Sequence, residues 1–363
     1  MSDRQRLAVV IGGQSTEHEV SVSSGQSVIR EADGERFEVV PFGVTRNGAW
    51  LTPDETRARL EQVTAGERGD IGGDEGVGIL RYPEVLAALG EMDVAFPITH
   101  GTFGEDGTLQ GLFELADLPY VGSGVGASAV GMDKELMRSV FAAAGIPQPS
   151  YIVLTDDEVQ EPPEEAIQFV ESELGYPCFV KPCNGGSSVG VSKAGSREDF
   201  HEAVASAARH DRKVMVEATM SGHEVECAVL GNSTPAASGV AEIVTSGEFY
   251  TYESKYIDDT ARLVVPAPIH EVTRERVREL SLRAFRAVNC AGLARVDFFA
   301  DDDGGEPQVI EINTLPGFTP ISMFPRLWQE EGLSYSELIS RLVDLAFERH
   351  AERGQRELRR EAL

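Results

Sequence analysis

Leu7-Ala8-Val9-Val10-Ile11-Gly12-Gly13 decides how this chain begins. It is a short apolar run, partly β-branched, that stops at paired glycines and is followed by a helically periodic segment over residues 20–29. Strand, glycine turn and helix in that order predict a parallel α/β opening. Working outward, residues 37–44 and 94–98 read as further strands and 108–116 as a helix. Residues 52–78, rich in Glu, Asp and Gly, read as a surface elaboration.

A boundary is expected near the glycines of residues 122–126. Beyond it come helices over 133–144, 161–174 and 200–208, strands over 178–181 and 214–217, and a Gly/Ser loop over 184–190. From residue 224 strands dominate, at 224–230, 237–244, 294–300 and 308–312. They are joined by a polar loop over 246–260 and a helix over 273–289, and a last helix covers 334–350. The expected class is multidomain α/β, with domains at 1–126, 127–221 and 222–350 and a frayed tail at 351–363.

Charge narrows the function. Against 60 Asp plus Glu stand 32 Lys plus Arg, a formal net of -28, which argues against broad affinity for nucleic acid or anionic membrane. Lysine is confined to Lys134, Lys181, Lys193, Lys213 and Lys255, so a retained lysine points to work that needs a compact ammonium. The four cysteines form no CxxC pair, which signals neither a zinc site nor a disulfide framework and fits a reduced cytoplasm. The amino terminus does not read as a signal peptide, and no window approaches the roughly 18 apolar residues of a membrane span.

Two constellations carry chemistry. Alternation along a strand sends Arg295 and Asp297 to one face, and Glu311 and Asn313 likewise. If the strands pair, hard oxygen donors suited to Mg²⁺ meet a guanidinium able to offset developing phosphoryl charge. The competing reading is a solvent-facing charge pair on a hairpin. The second constellation is Lys181-Pro182-Cys183-Asn184-Gly185-Gly186-Ser187-Ser188-Val189-Gly190. Its backbone and hydroxyls can cradle phosphate, though alone it is equally a hairpin turn; the lysine precedes the glycines, unlike GxxxxGK[ST]. Gly12-Gly13-Gln14-Ser15 lacks the GxGxxG of a dinucleotide oxidoreductase.

With these stand GGQSTEHEVS at 12–21, HGTFGEDGTLQG at 100–111, GSGVGASAVGMDK at 122–134, YESKY at 252–256 and EINTLPGFTPISMFP at 311–325. In this order the segments resemble the ATP-grasp ligases, specifically the D-alanine:D-alanine ligase family, over nearly the whole chain. The resemblance implies an ATP-grasp fold preceded by a Rossmann-like parallel-sheet domain.

It also implies roles. Lys134, Lys181 and Lys255 would hold ATP phosphates, with Ser188 and the glycine loop closing over them. Glu217 would meet the adenine amino group and Glu224 the ribose. Asp297, Glu311 and Asn313 would ligate two Mg²⁺ or Mn²⁺ ions. Glu17 would receive the ammonium of the first D-alanine and join Ser187 and Tyr256 in a triad, with His100 beside it; a satisfied structural histidine is the other reading of His100. Arg295 with the Gly317 N–H would stabilise the oxyanion, and Ser322 with Met323 would bind the second carboxylate.

The implied reaction phosphorylates one D-alanine with ATP and passes the acyl group to the amine of another, for peptidoglycan synthesis in the cytoplasm, by a homodimer. D-lactate or D-serine as acceptor is the alternative, and Tyr256 argues against D-lactate. A regulatory nucleotide-binding module without turnover is disfavoured by the full metal-ligand set and Arg295. The family pattern has a lysine where this chain has Arg138, and a lysine where it has Ala218.

Overall fold

The structure, a computed structural model, describes residues 4–63, 69–72, 76, 78–244, 262–301 and 304–355. Strand β1 (Gln5–Gly12) turns into helix α1 (His18–Glu31), followed by β2 (Phe37–Val44), β3 (Trp50–Leu51), α2 (Pro53–Leu60), α3 (Pro83–Leu89), β4 (Val94–Pro97), α4 (Thr108–Leu115), α5 (Val125–Met132) and α6 (Lys134–Ala143). The first sheet has the order β3-β2-β1-β4, with β1 parallel to both neighbours. Leu7, Val9 and Ile11 enter one core and Ala8 and Val10 another. Burial on both faces is why β1 reads as an unbroken apolar run. Gly12 has φ 86°, and a Cβ there would lie 2.1 Å from Val44 O, so the turn requires glycine.

The second sheet takes the order β5-β8-β6-β7 from β5 (Tyr151–Thr155), β6 (Cys178–Pro182), β7 (Ser192–Ala194) and β8 (Lys213–Ala218), paired antiparallel. Helices α7 (Glu164–Phe169) and α8 (Arg197–Ala207) cover it, with Val170, Phe200, Val204 and Val216 in the core between them.

The third sheet is antiparallel, β11-β10-β9-β12-β13, built from β9 (His223–Gly231), β10 (Ala236–Val244), β11 (Arg262–Val264), β12 (Gly292–Ala300) and β13 (Gln308–Asn313). Helix α9 (Glu271–Ala287) packs on the face carrying Val225, Cys227 and Val229. The opposite face of β9 carries Glu224 and Glu226 at one end and Ala228 and Leu230 at the other. Its apolar end joins a core shared with the first sheet and with α10 (Met323–Glu330) and α11 (Tyr335–Gly354). Phe318 is the junction: it lies 5.4 Å from Phe96 and 5.3 Å from Tyr335, ring to ring, and its carbonyl accepts the Tyr335 hydroxyl. The polar end of that face lies alongside Asp297 of β12.

Three local expectations change. Residues 52–78 include helix α2, started by a reciprocal capping box between Thr52 and Glu55 with Pro53 in the first turn. The helix expected over 161–174 begins at Glu164 and ends in a π-helical turn, Val170–Leu174. The segment after Pro316-Gly317 forms α10, and α11 runs on to Gly354, inside the expected tail. The polar loop over 246–260, and with it Lys255 and Tyr256, lies outside the described residues.

Candidate active site

Strands β12 and β13 pair so that Asp297 faces Glu311 and Arg295 faces Asn313. The Asn313 amide donates to Asp297 Oδ2 at 3.0 Å. Arg295 grips Asp297 with both branches, Nε to Oδ1 at 2.8 Å and Nη2 to Oδ2 at 2.7 Å. Glu226, the partner of Asp297 on β9, puts Oε2 3.0 Å from the same Nε. Sequence reasoning passed over Glu226. The sign was there, since an acid spaced two from Glu224 in an otherwise apolar strand must share its face.

Among the described residues no set of three or more His, Cys, Asp and Glu side chains forms a closed metal cage. Two carboxylates and one amide fit instead a hard divalent ion that takes the rest of its shell from water and phosphate. Arg295 contacts both oxygens of Asp297 and Asn313 shares Oδ2, so a bound ion would take a remaining lone pair beside the guanidinium or draw Arg295 aside.

The second group gathers on the central sheet. Lys181 on β6 donates to Glu217 Oε1 at 2.5 Å, and Arg138 on α6 donates to Glu217 Oε2 at 2.7 Å. Burial alone would raise the Glu217 carboxyl, but Lys181 and Arg138 together hold it below its ordinary value. Lys134, in the first turn of α6, donates to Gly185 O at 2.9 Å and stands 3.9 Å from Glu311 Oε2. It therefore ties the glycine loop to the third sheet. Helix α6 itself is fixed at its start by Asp133, which caps the N–H groups of Glu135 and Leu136 and accepts from Lys213 at 2.6 Å. Within the glycine loop Ser187 and Ser188 are both left-handed, with φ 53° and 58°. Such a pair costs on the order of 1 kcal/mol or more per residue and is kept where function shapes the backbone. Glu224 lies on β9, half-buried.

The third group surrounds Glu17, at the start of α1 and 8% exposed. The glycine loop runs against it: a Cβ on Gly186 would lie 3.0 Å from Glu17 Oε2, so only glycine passes there without displacing the carboxylate. Buried His100 meets Leu315 O through Nδ1 at 3.0 Å, and its Nε2 has no partner among the described residues. Burial holds its imidazole below the ordinary value, against the pull of Glu17. Neutral, with Nδ1–H donating, the ring presents an acceptor at Nε2. Ser187 Oγ is likewise buried without a partner among the described residues.

Glu105, also missed by sequence reasoning, accepts the Gly101 N–H at 2.6 Å, and burial followed by repulsion from Glu17 pushes its carboxyl up to about 8. At neutral pH this keeps the Glu105 carboxyl largely protonated. The only signal was its place in the HGTFGEDG segment. Across from it, Ser322 starts α10; its hydroxyl meets Thr319 Oγ1 at 2.7 Å and accepts the Thr319 N–H at 3.0 Å.

These groups open on one cavity of about 1010 Å³, lined by Glu17, His100, Glu105, Lys134, Ser187 and Arg295, and by Glu311, Asn313, Gly317, Ser322 and Met323. Lys181, Ser188, Glu217, Glu224 and Asp297 do not line it. Lys181 is turned away toward Glu217, and Asp297 lies under Arg295.

Two antiparallel sheets bridged by cationic side chains, a glycine loop on one and carboxylates on the other, define an ATP-grasp ligase. Profiles described as D-ala D-ala ligase N-terminus and D-ala D-ala ligase C-terminus match residues 6–123 and 140–344. The D-alanine--D-alanine ligase of Acetivibrio thermocellus is 45% identical, covering 96% of this chain and 98% of its own. Among solved structures, the D-alanine-D-alanine ligase from Coxiella burnetii matches with a TM-score of 0.79 at 33% identity, over 97% of each chain. VanG D-Ala:D-Ser ligase from Enterococcus faecalis matches at 0.78 and 32%, over 95% of this chain and 100% of its own. The chain belongs to the D-alanine–D-alanine ligase family.

Proposed function

We propose that this protein joins two D-alanine molecules at the expense of ATP, through a D-alanyl phosphate, releasing ADP and phosphate. The observation that carries the reading is the single cavity that holds Glu17, His100, Arg295, Glu311, Asn313, Gly317 and Ser322 together.

In this reading Glu17 receives the ammonium of the first D-alanine, with Ser187 and Tyr256 completing the triad and His100 Nε2 accepting beside it. An oxygen of that substrate's carboxylate attacks the γ-phosphorus and ADP departs. Ser322, its hydroxyl oriented by Thr319, holds the second D-alanine's carboxylate, with Met323 contributing through its backbone. The second amine attacks the acyl carbon, phosphate leaves, and the nitrogen gives up a proton. Negative charge forms on the carbonyl oxygen beside Arg295 and the Gly317 N–H, where fixed positive charge lowers the barrier. Lys134, Lys181 and Lys255 neutralise the triphosphate, Ser188 caps it, and Glu217 and Glu224 take the adenine and ribose. Asp297, Glu311 and Asn313 would hold two Mg²⁺ or Mn²⁺ ions, which supply charge neutralisation on the transferring phosphoryl group.

We place the protein in the cytoplasm as a homodimer, with domains at 1–126, 127–221 and 222–350. Four buried free thiols fit a reducing compartment, among the described residues no helix is long and apolar enough to cross a membrane, and three separate sheets fit the division. D-Serine is the second reading for the acceptor, favoured by the likeness to the D-Ala:D-Ser ligase. Phosphate release measured with D-alanine, L-alanine, D-serine and D-lactate tests both. Turnover with D-alanine alone is expected; turnover only with D-alanine plus D-serine selects the second reading, and none with any refutes both.

A further inference from the structure

We propose that Arg138 positions Glu217 for the nucleobase, by keeping one carboxylate oxygen fixed while the other changes partner. The proposal rests on the reading of Glu217 as acceptor for the adenine amino group.

Arg138 lies in the interior of α6 and is fully buried. Its two terminal nitrogens diverge. Nη2 donates to Glu217 Oε2 on β8, and Nη1 donates to Val309 O on β13 at 2.8 Å, two residues before Glu311. One planar guanidinium thus fixes a carboxylate of the central sheet relative to the strand that carries Glu311 and Asn313. A lysine, a point charge on a single branch, cannot span both.

The other oxygen, Glu217 Oε1, is held by Lys181. An entering triphosphate carries more negative charge than one carboxylate and competes for this ammonium. When Lys181 turns to it, Oε1 becomes free to accept an N–H while Oε2 remains on Arg138. A 6-amino purine supplies that N–H. A 6-oxo purine brings a second acceptor against a buried carboxylate and is rejected. Without Arg138, departure of Lys181 would strand a carboxylate that is 4% exposed with no cation in contact, and it would protonate or turn away.

Inosine triphosphate has an oxo acceptor in place of this amino donor, and a proton on N1, and makes the probe. Steady-state constants with each nucleotide are measured for the parent, Arg138→Lys and Arg138→Met, with thermal unfolding of each and calorimetric binding of ADP and IDP as a readout without turnover. The parent should prefer ATP at least about tenfold, the scale of one charge-assisted hydrogen bond. In Arg138→Lys the KM for ATP should rise about tenfold. Its kcat and D-alanine KM should stay within about twofold, and its ATP preference should fall with ADP affinity. Arg138→Met, where it folds, should lose more. Arg138→Lys with parental nucleotide preference and only a lowered unfolding temperature makes the residue a structural tie and overturns the proposal. A parent that uses both nucleotides alike removes the reading of Glu217, and the proposal with it. A parent that discriminates beside an equally discriminating Arg138→Lys removes the role of Arg138 alone.

Discussion

At the proposed nucleotide end of the cleft, Lys181, Arg138 and Glu217 are buried and paired with one another. At the amino-acid end, His100 Nε2 and Ser187 Oγ are buried at the cavity without a partner among the described residues. The first arrangement satisfies its charges in the empty protein and must exchange them when ligand enters. The second turns its polar atoms toward the cavity, where an entering ligand can bond them without first displacing a buried charge. The comparison teaches that a site can be prepared for ligand by internal substitutes or by polar atoms facing the cavity, and that the two differ in how much folding stability depends on them.

The largest expected effect falls where the ends meet. Arg295→Ala should lower kcat at least about 100-fold, the scale of losing one oxyanion donor; steady-state phosphate release checks it, and near-parental turnover would remove Arg295 from the chemistry. Next, at the paired end, Arg138→Met should lower folding stability by about 3 kcal/mol, because it strips one cation from a buried carboxylate. Denaturant unfolding of the ligand-free protein reads this, and a change under about 0.5 kcal/mol would erase the contrast between the ends.

Ser187→Ala sharpens the contrast from the other side. Activity should drop about tenfold, one hydrogen bond's worth, while the unfolding midpoint moves far less than in Arg138→Met, because no buried charge loses its partner. A fall in the midpoint as large as that of Arg138→Met would erase the contrast. Glu105 gives a pH signature in metal-free protein. Its folded carboxyl titrates at about 8 and its unfolded one near 4.5, so between those values the unfolded chain binds fewer protons. Stability contributed at this site therefore falls as pH rises through that window and levels off above it. Glu105→Gln should flatten that decline, measured by unfolding at acid, neutral and mildly alkaline pH; an unchanged slope rejects the shifted carboxyl. The smallest effect lies away from both ends: Thr52→Ala, which removes the α2 cap, should cost about 1 kcal/mol and leave activity alone.

Much of this was legible in the chain. The strand over 37–44 matches β2 to the residue, and alternation put Arg295 beside Asp297 and Glu311 beside Asn313. Helix α2 was hidden because its acidic composition outweighed a capping box that Thr52 and Glu55 spell out. Glu226 and Glu105 were hidden for another reason: their meaning depends on which strand lies alongside and how much water is excluded, and neither is a local property.

The sequence by itself determined the elements, the kinds of ligand each motif can hold and the family, since strand and helix periods and glycine turns are set by neighbours along the chain. Only the tertiary structure decided partners: Arg138 with Glu217 across 79 residues, and His100 with Leu315 across 215. Those pairings follow from sheet register and from a core shared between the first and third sheets. Burial then turns ordinary side chains into fixed charge pairs and neutral acceptors, because low dielectric strengthens each pair and penalises each charge left alone.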